Sequence, residues 1–211
     1  MPLARPKEKI ERRIGEKLFL KGERSFSPKS AVVRKPYPPG QHGRRFVRRG
    51  GRSEYMVLLR EKQKVRYLYG LRDRMLKKYF TASRENRKSP TAENLAELLE
   101  RRLDNVVFRL GLAVSRSVGR HLVSYGHIQV NGKRVRQPSF SVRIGDVISI
   151  RESSAGKEFF QNLGQRLQKY VPPEWLEVDK ETHSGRVLRL PNLGDIMIQQ
   201  NMSLVVEYYS K

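Results

Sequence analysis

The chain has 211 residues, with 44 Lys and Arg against 21 acidic residues and a formal net charge of +23 at pH 7. A compact protein with that excess repels itself, which points to a polyanionic partner. No apolar run approaches the roughly 18 residues needed to span a bilayer, and the polar opening Met1 to Ile10 does not read as a secretion signal, so nucleic acid is favoured over membrane.

There is no cysteine, so disulfides, thiolate chemistry and a thiolate zinc site are excluded. His42, His121, His127 and His183 lack the spacing of a histidine metal site. The charge is unevenly placed. Residues 1–52 hold 16 basic and 4 acidic residues, 53–100 hold 11 and 7, 101–150 hold 9 and 2, and 151–211 hold 8 and 8. The first three-quarters therefore reads as nucleic-acid surface, and the neutral remainder as fold or protein contact.

Residues 1–52 form a basic arm in which Pro2, Pro6, Pro28, Pro36, Pro38 and Pro39, with Gly40, Gly43, Gly50 and Gly51, favour irregular backbone over a self-supporting core. Phe19, Phe26, Tyr37 and Phe46 sit among its charges, available to stack on bases or pack on a neighbour. Arg44, Arg45, Arg48, Arg49 and Arg52 are its densest cluster, and the planar guanidinium binds phosphate bidentately.

Ser53 is placed to cap a helix over 54–70 that ends at Gly70. On it Lys62 and Arg66, and likewise Arg60 and Lys64, repeat like charge four residues apart, a cost that a bound phosphate backbone would remove. A second helix is expected over 72–80. Pro90 suits the first turn of a third, which an apolar stripe from Leu95 to Leu110 carries to Gly111.

Ser115 can then cap a short helix through Tyr125, with Gly126 as its left-handed end. Arg116 and Arg120 share one face, with His121 beside it, and Gly119 permits close approach of another backbone or a sugar-phosphate. Asn131-Gly132 marks a hairpin, and 139–150 reads as a second one turning near Gly145. The two helices and small sheet bring Arg116, Arg120, Lys133, Arg134 and Arg136 into one neighbourhood suited to the phosphates of structured RNA. Beyond it, 155–170 is expected as a helix, and 175–179, 185–190 and 203–209 as strands, with Trp175 as a core or junction anchor.

The runs "RLDNVVFRLGLAVSR" (102–116) and "GRHLVSYGHIQVNG" (119–132) resemble the S-four RNA-binding domain, which also occurs in several RNA-modifying enzymes, tyrosyl-tRNA synthetases and a small heat-shock protein. The flanks "RKPYPPGQHGRR" (34–45), "LREKQKVRYLYG" (59–70) and "LVVEYYSK" (204–211) extend the resemblance to the bacterial small-subunit ribosomal S-four family. It implies a primary binder of 16S-type rRNA that nucleates the subunit body. It further implies contact with ribosomal protein S-five at a junction tied to decoding accuracy, and arginines after His42 near messenger RNA where it enters the subunit. Some relatives hold zinc in the arm through four cysteines. Glu8, Glu11, Ser25 and Ser30 stand at those positions here, which implies a metal-free arm ordered by RNA.

No nucleotide-binding or nucleophile-elbow motif appears. Ser115, His121 and Asp104 read better as a helix cap, an RNA-facing side chain and a helix-surface carboxylate than as a triad. A fragment of an RNA-modification enzyme or a free-standing RNA chaperone is the competing reading. The expected class is α+β, cytoplasmic and without cofactor: a basic arm (1–52), a helical domain (53–97, completed by 175–211) and an inserted RNA-binding domain (98–168), the return segment (169–211) carrying strands.

Overall fold

The computed structural model describes residues 6–43, 53–87, 89–195 and 201–211. By contact density the chain divides into two compact units, Met1–Leu95 with Ile198–Lys211, and Ala96–Met197. The second is thus inserted into the sequence of the first.

In the first unit the arm is more folded than its Pro and Gly content suggests. Helix α1 (Lys7–Ile14) ends on Gly15 at φ 77°, a turn at Gly22–Ser25 follows, and α2 spans Ala31–Arg34. Ile10, Ile14 and Leu18 are buried together, with Leu20 and Tyr67 packed against them. This small cluster replaces the irregular backbone expected there. Glu11, 1% exposed, lies beneath the loop that follows α1 and accepts from the N–H groups of Leu18 (3.2 Å) and Leu20 (3.0 Å). Two backbone N–H groups of that loop are therefore tied to one carboxylate oxygen.

Helix α3 (Glu54–Leu68) starts where Ser53 accepts from the Met56 N–H, as the sequence indicates. Helix α4 spans Asp73–Glu85. The C-terminal residues 203–209, expected as a strand, instead lie in helix α10 (Met202–Ser210), whose cap Asn201 accepts from the Leu204 N–H. Their β-branched and aromatic composition suggests a strand, but Met202 and Val205 are buried one turn apart, and Tyr209 stacks on Phe80 of α4 at 5.0 Å. Helical spacing thus decides over propensity.

The expected long helix to Leu110 is two helices: α5 (Thr91–Glu100), across which the boundary between units falls, and α6 (Leu103–Arg109). The break is at Arg102, whose backbone is extended and bridges Ser141, while the Leu103 N–H donates to the Phe140 carbonyl at 2.9 Å. Leu95 and Leu99 before the break and Leu103, Val106, Val107 and Leu110 after it are all buried. Helix α7 (Arg116–Ser124) packs on α6. At their crossing a Cβ on Gly119 would sit 2.6 Å from the Asp104 carbonyl oxygen, so the backbone that glycine admits belongs to α6 rather than to RNA.

The sheet has five antiparallel strands in the order β2-β1-β3-β5-β4. They are β1 (Ile128–Val130), β2 (Lys133–Arg134), β3 (Val147–Ile150), β4 (Leu176–Asp179) and β5 (Ser184–Val187). Asn131 and Gly132 form the β1–β2 turn, both at positive φ (51° and 74°). The hairpin expected within 139–150 supplies only β3, which pairs with β1 and β5 rather than with residues 139–144. Residues 155–170 hold the end of α8 (Glu152–Ala155), a short 3-10 turn and α9 (Leu163–Gln168) instead of one helix.

Because β4 and β5 pair into this sheet, and Trp175 is buried in its core with Leu110, Ile148 and Leu167, the residues around 175–187 complete the inserted unit. Of the described return segment, α10 alone falls in the first unit. The core of the inserted unit also holds charge. Glu100 (0% exposed) takes a two-point ion pair from Arg109 (1% exposed), both contacts at 2.9 Å.

Two outcomes follow for stability. Glu100→Ala strands a buried guanidinium, so urea unfolding should show a loss of about 3–5 kcal/mol; a loss under about 1 kcal/mol would mean that water reaches Arg109. Burial raises the Glu11 carboxyl above its usual range, against the opposing bonds from Leu20 and Leu18. A raised carboxyl favours the fold when protonated, and that contribution is lost as pH rises through its folded-state value. Glu11→Gln keeps the acceptor without the charge. It should raise stability at pH 7 and give no advantage near pH 4, about the value of a free glutamate.

Candidate nucleic-acid interface

Helix α7 and the β1–β2 hairpin carry most of the basic residues that the sequence singles out in the inserted unit. Ser115 accepts from the Val118 N–H and starts the helix with Arg116 in its first turn. Arg116 is half-buried. Its Nε donates to Asn105 Oδ1 at 2.8 Å, and its guanidinium lies 4.7 Å from the Phe108 ring centre. Asn105 in turn donates to Glu100 Oε2 at 2.8 Å and to its backbone carbonyl at 2.9 Å. A chain of three polar side chains thus fixes the stem of Arg116 from inside the core.

Arg120 is half-buried one turn further along α7, and His121 beside it is exposed. The helix then ends in a reciprocal cap: the His127 N–H donates to the Leu122 carbonyl and the Gly126 N–H to the Val123 carbonyl, both at 2.9 Å. Gly126 takes φ 72°, and a Cβ there would meet Arg134 Nε at 2.2 Å. The space is used by Arg134, which donates to the carbonyls of Gly126 (3.1 Å) and Tyr125 (3.0 Å), where the helix leaves its own carbonyls unpaired.

Lys133, Arg134 and Arg136 are exposed. Desolvation first, and then Arg136 and Arg151, lower the Arg134 pKa from its ordinary value. His127 is likewise lowered, by burial first, then by Lys157, Arg134 and Arg151. The mutual repulsion of these groups marks a cationic surface around His127 and Arg134. Arg151 and Lys157 escaped the sequence reading. The usable signal is strand pairing: Ile128 opposite Ile150 puts Arg151 beside His127, whose carbonyl accepts the Arg151 N–H at 2.9 Å. Arg116 and Arg134 stand at opposite ends of the nine-residue α7, about 13 Å of helix apart, so the expected neighbourhood is a ridge rather than a point.

Elsewhere the expectations need correction. Lys62 is 3% exposed; its ammonium pairs with Asp73 at 2.6 Å and lies 4.8 Å from the Tyr208 ring centre. It stabilises the packing of α3 with α4 and α10 instead of facing RNA. Lys64 is also buried and pairs with Glu61 (2.5 Å) and Glu16 (2.7 Å), while Arg60 pairs with Glu16 (3.1 Å). The like-charge spacing on α3 is thus offset inside the protein, with no phosphate required. Arg66 is half-buried, with Nε inaccessible and its guanidinium 4.4 Å from the Tyr67 ring centre. Asp104, expected on a helix surface, is buried and held by Arg102 at 3.1 and 2.7 Å. Arg44, Arg45, Arg48, Arg49 and Arg52 lie outside the described residues.

In the arm, Glu8 pairs with Lys21 (3.1 Å) and Arg24 (3.3 Å), Ser25 Oγ accepts from the Lys21 N–H (3.3 Å), and Ser30 is buried. With Glu11 bound to the Leu18 and Leu20 N–H groups, three of these four positions have partners within the arm.

A family profile described as the ribosomal protein S4/S9 N-terminal domain matches residues 2–100, and one described as the S4 domain matches residues 101–148. Relatives called small ribosomal subunit protein uS4 are similar over nearly the whole chain. That of Thermus thermophilus is 49% identical over 95% of this chain and 94% of its own length. Those of Syntrophomonas wolfei and Caldicellulosiruptor saccharolyticus are each 47% identical, over 95% and 98% of this chain and 94% and 97% of their own lengths. With both profiles in order along the chain and relatives matching over about 95% of it, the chain belongs to the uS4 family of small ribosomal subunit proteins.

Proposed function

We propose that this chain is a primary rRNA-binding constituent of the small ribosomal subunit, structural rather than catalytic, and that it nucleates assembly of the subunit body. The observation that carries the reading is the ridge formed by α7 and the β1–β2 hairpin. There Arg116, Arg120, His121, Lys133, Arg134 and Arg136 gather on a module of the S4 type. Guanidinium groups on a rigid ridge suit the shape and phosphates of folded RNA.

Resemblance to the bacterial family supports the finer parts of the proposal. Ribosomal protein S-five is a neighbour, the pair influences translational accuracy, and the arm arginines Arg44, Arg45, Arg48, Arg49 and Arg52 meet rRNA or messenger RNA near its point of entrance. The protein acts in the cytoplasm, on the ribosome. The arm needs no metal: Glu8, Glu11, Ser25 and Ser30 have internal partners or are buried, so the fold of α1 and α2 does not wait on zinc.

Binding to naked small-subunit rRNA, footprinted across a salt series, tests the central claim. A defined junction should be protected, with log K falling against log salt by a slope of roughly −6 to −10 if about that many phosphates are neutralised. A flat slope, or equal affinity for arbitrary duplexes, would sink it. Lys133→Ala should weaken binding and reduce the slope by about 1 while leaving the melting midpoint in place. Arg116→Ala should weaken binding and also lower the midpoint, because it removes the donor to Asn105. Metal analysis of the purified protein should find no stoichiometric zinc; one equivalent per chain would overturn the metal-free arm.

A further inference from the structure

At the C-terminal end of α7 a large ring stands in water. Tyr125 is 67% exposed. Single exposed aromatics are ordinary on protein surfaces, but this one belongs to a built group. The His121 ring lies 6.1 Å away, nearly parallel at 16°, and the His127 ring 6.3 Å away at 40°. His127 is anchored by a 3.0 Å hydrogen bond between Nδ1 and Ser154 Oγ.

The backbone beneath the ring is also fixed. Tyr125 is the residue that ends α7 just before the reciprocal cap, its N–H donates to the His121 carbonyl, and its carbonyl accepts from Arg134 at 3.0 Å. A ring held this way loses little freedom when something stacks on it, so contact there is made at low entropic cost.

The surroundings identify the partner. The charges acting on His127 beside the ring come from Lys157, Arg134 and Arg151, all positive. A protein partner offering an apolar side chain would have to desolvate these cations. A nucleotide offers a flat base for the ring and a phosphate for the cations in one unit. The base must be unpaired, since bases within an A-form helix are stacked and their faces covered.

We propose that Tyr125, with His121 alongside, is a stacking platform for one unpaired base of the bound RNA, whose adjoining phosphates are met by Arg134 and its cationic neighbours. This rests on the RNA-binding reading above and adds to it a contact made by a base rather than by the backbone.

The test uses the full chain with small-subunit rRNA, measuring affinity, salt slope and chemical protection nucleotide by nucleotide for Tyr125→Ala, Tyr125→Leu and Tyr125→Phe. Loss of one stacked base should weaken binding by about 5- to 150-fold in the alanine variant. The salt slope should be unchanged because no phosphate contact is removed, and one unpaired nucleotide should lose protection. Leucine, apolar but without a π face, should behave as alanine does, and phenylalanine should restore both affinity and protection. The melting midpoint should be the same in all three.

If the alanine variant binds with native affinity and footprint while the native chain keeps its steep salt dependence, the platform is wrong and the RNA-binding reading stands. If the native chain itself shows no specific binding, both fall. Retained rRNA affinity with loss of contact to another small-subunit protein would also overturn the platform. So would full rescue by leucine, which would mean that packing rather than stacking is the contact.

Discussion

Glu100 is a carboxylate with no exposed surface, and the inserted unit is organised around what that charge requires. Taking a carboxylate out of water costs several kcal/mol unless its oxygens are matched. Here Arg109 supplies two charged donors and Asn105 a third neutral one. The arrangement forces the last residue of α5 and two residues of α6 into fixed relation, and a helix that might have run straight through is closed into a corner at Arg102. Because Asn105 spends its amide on Glu100, its carbonyl oxygen is left for Arg116. A requirement of the core is thereby transmitted to the ridge that carries the candidate contacts.

The net charge of +23 therefore conceals two populations of cation. Arg102, Arg109, Lys62 and Lys64 are buried against carboxylates and act within the fold. Lys133, Arg134 and Arg136 stand in the open on the hairpin. Sequence spacing cannot tell the two apart, since Lys62 and Arg66 on α3 look as much like a phosphate comb as Arg116 and Arg120 on α7. Burial separates them. Glu61 is a local partner, three residues from Lys64 on α3, but Asp73 and Glu16 come from other elements, and their pairing with α3 is a tertiary fact.

What was legible in the chain was whatever is set by local chemistry. Ser53 and Ser115 cap the helices they precede, Gly126 ends α7, and Asn131-Gly132 turns the hairpin, because each depends only on residues within one turn. What was not legible depends on partners distant in sequence. Residues 203–209 have strand composition, yet α10 is held by α3 and α4. The break at Arg102 needs Ser141 and Phe140, and the residence of β4 and β5 in the inserted unit needs β3. Of the candidate site, the cations of α7 and the hairpin were visible. Arg151, Lys157 and the exposed ring of Tyr125 were not, because Arg151 joins the ridge through strand pairing, Lys157 through the turn after α8 that brings Ser154 to His127, and Tyr125 through helix capping.

The order of strands also gives the sheet a direction. The hairpin strand β2 forms one edge with Lys133, Arg134 and nearby Arg136, and β4 forms the other with Glu177 and Asp179, followed by Glu181 in the turn. Charge on both edges discourages pairing with foreign strands, but the opposite signs do something more. Under the proposed function, the β2 edge is the one that a phosphate backbone favours over the β4 edge. The balanced charge of residues 151–211 is divided in space: Arg151 and Lys157 lie beside His127 next to the ridge, while Glu177, Asp179 and Glu181 lie on and after β4, where Lys180 and Arg186 offset part of their charge.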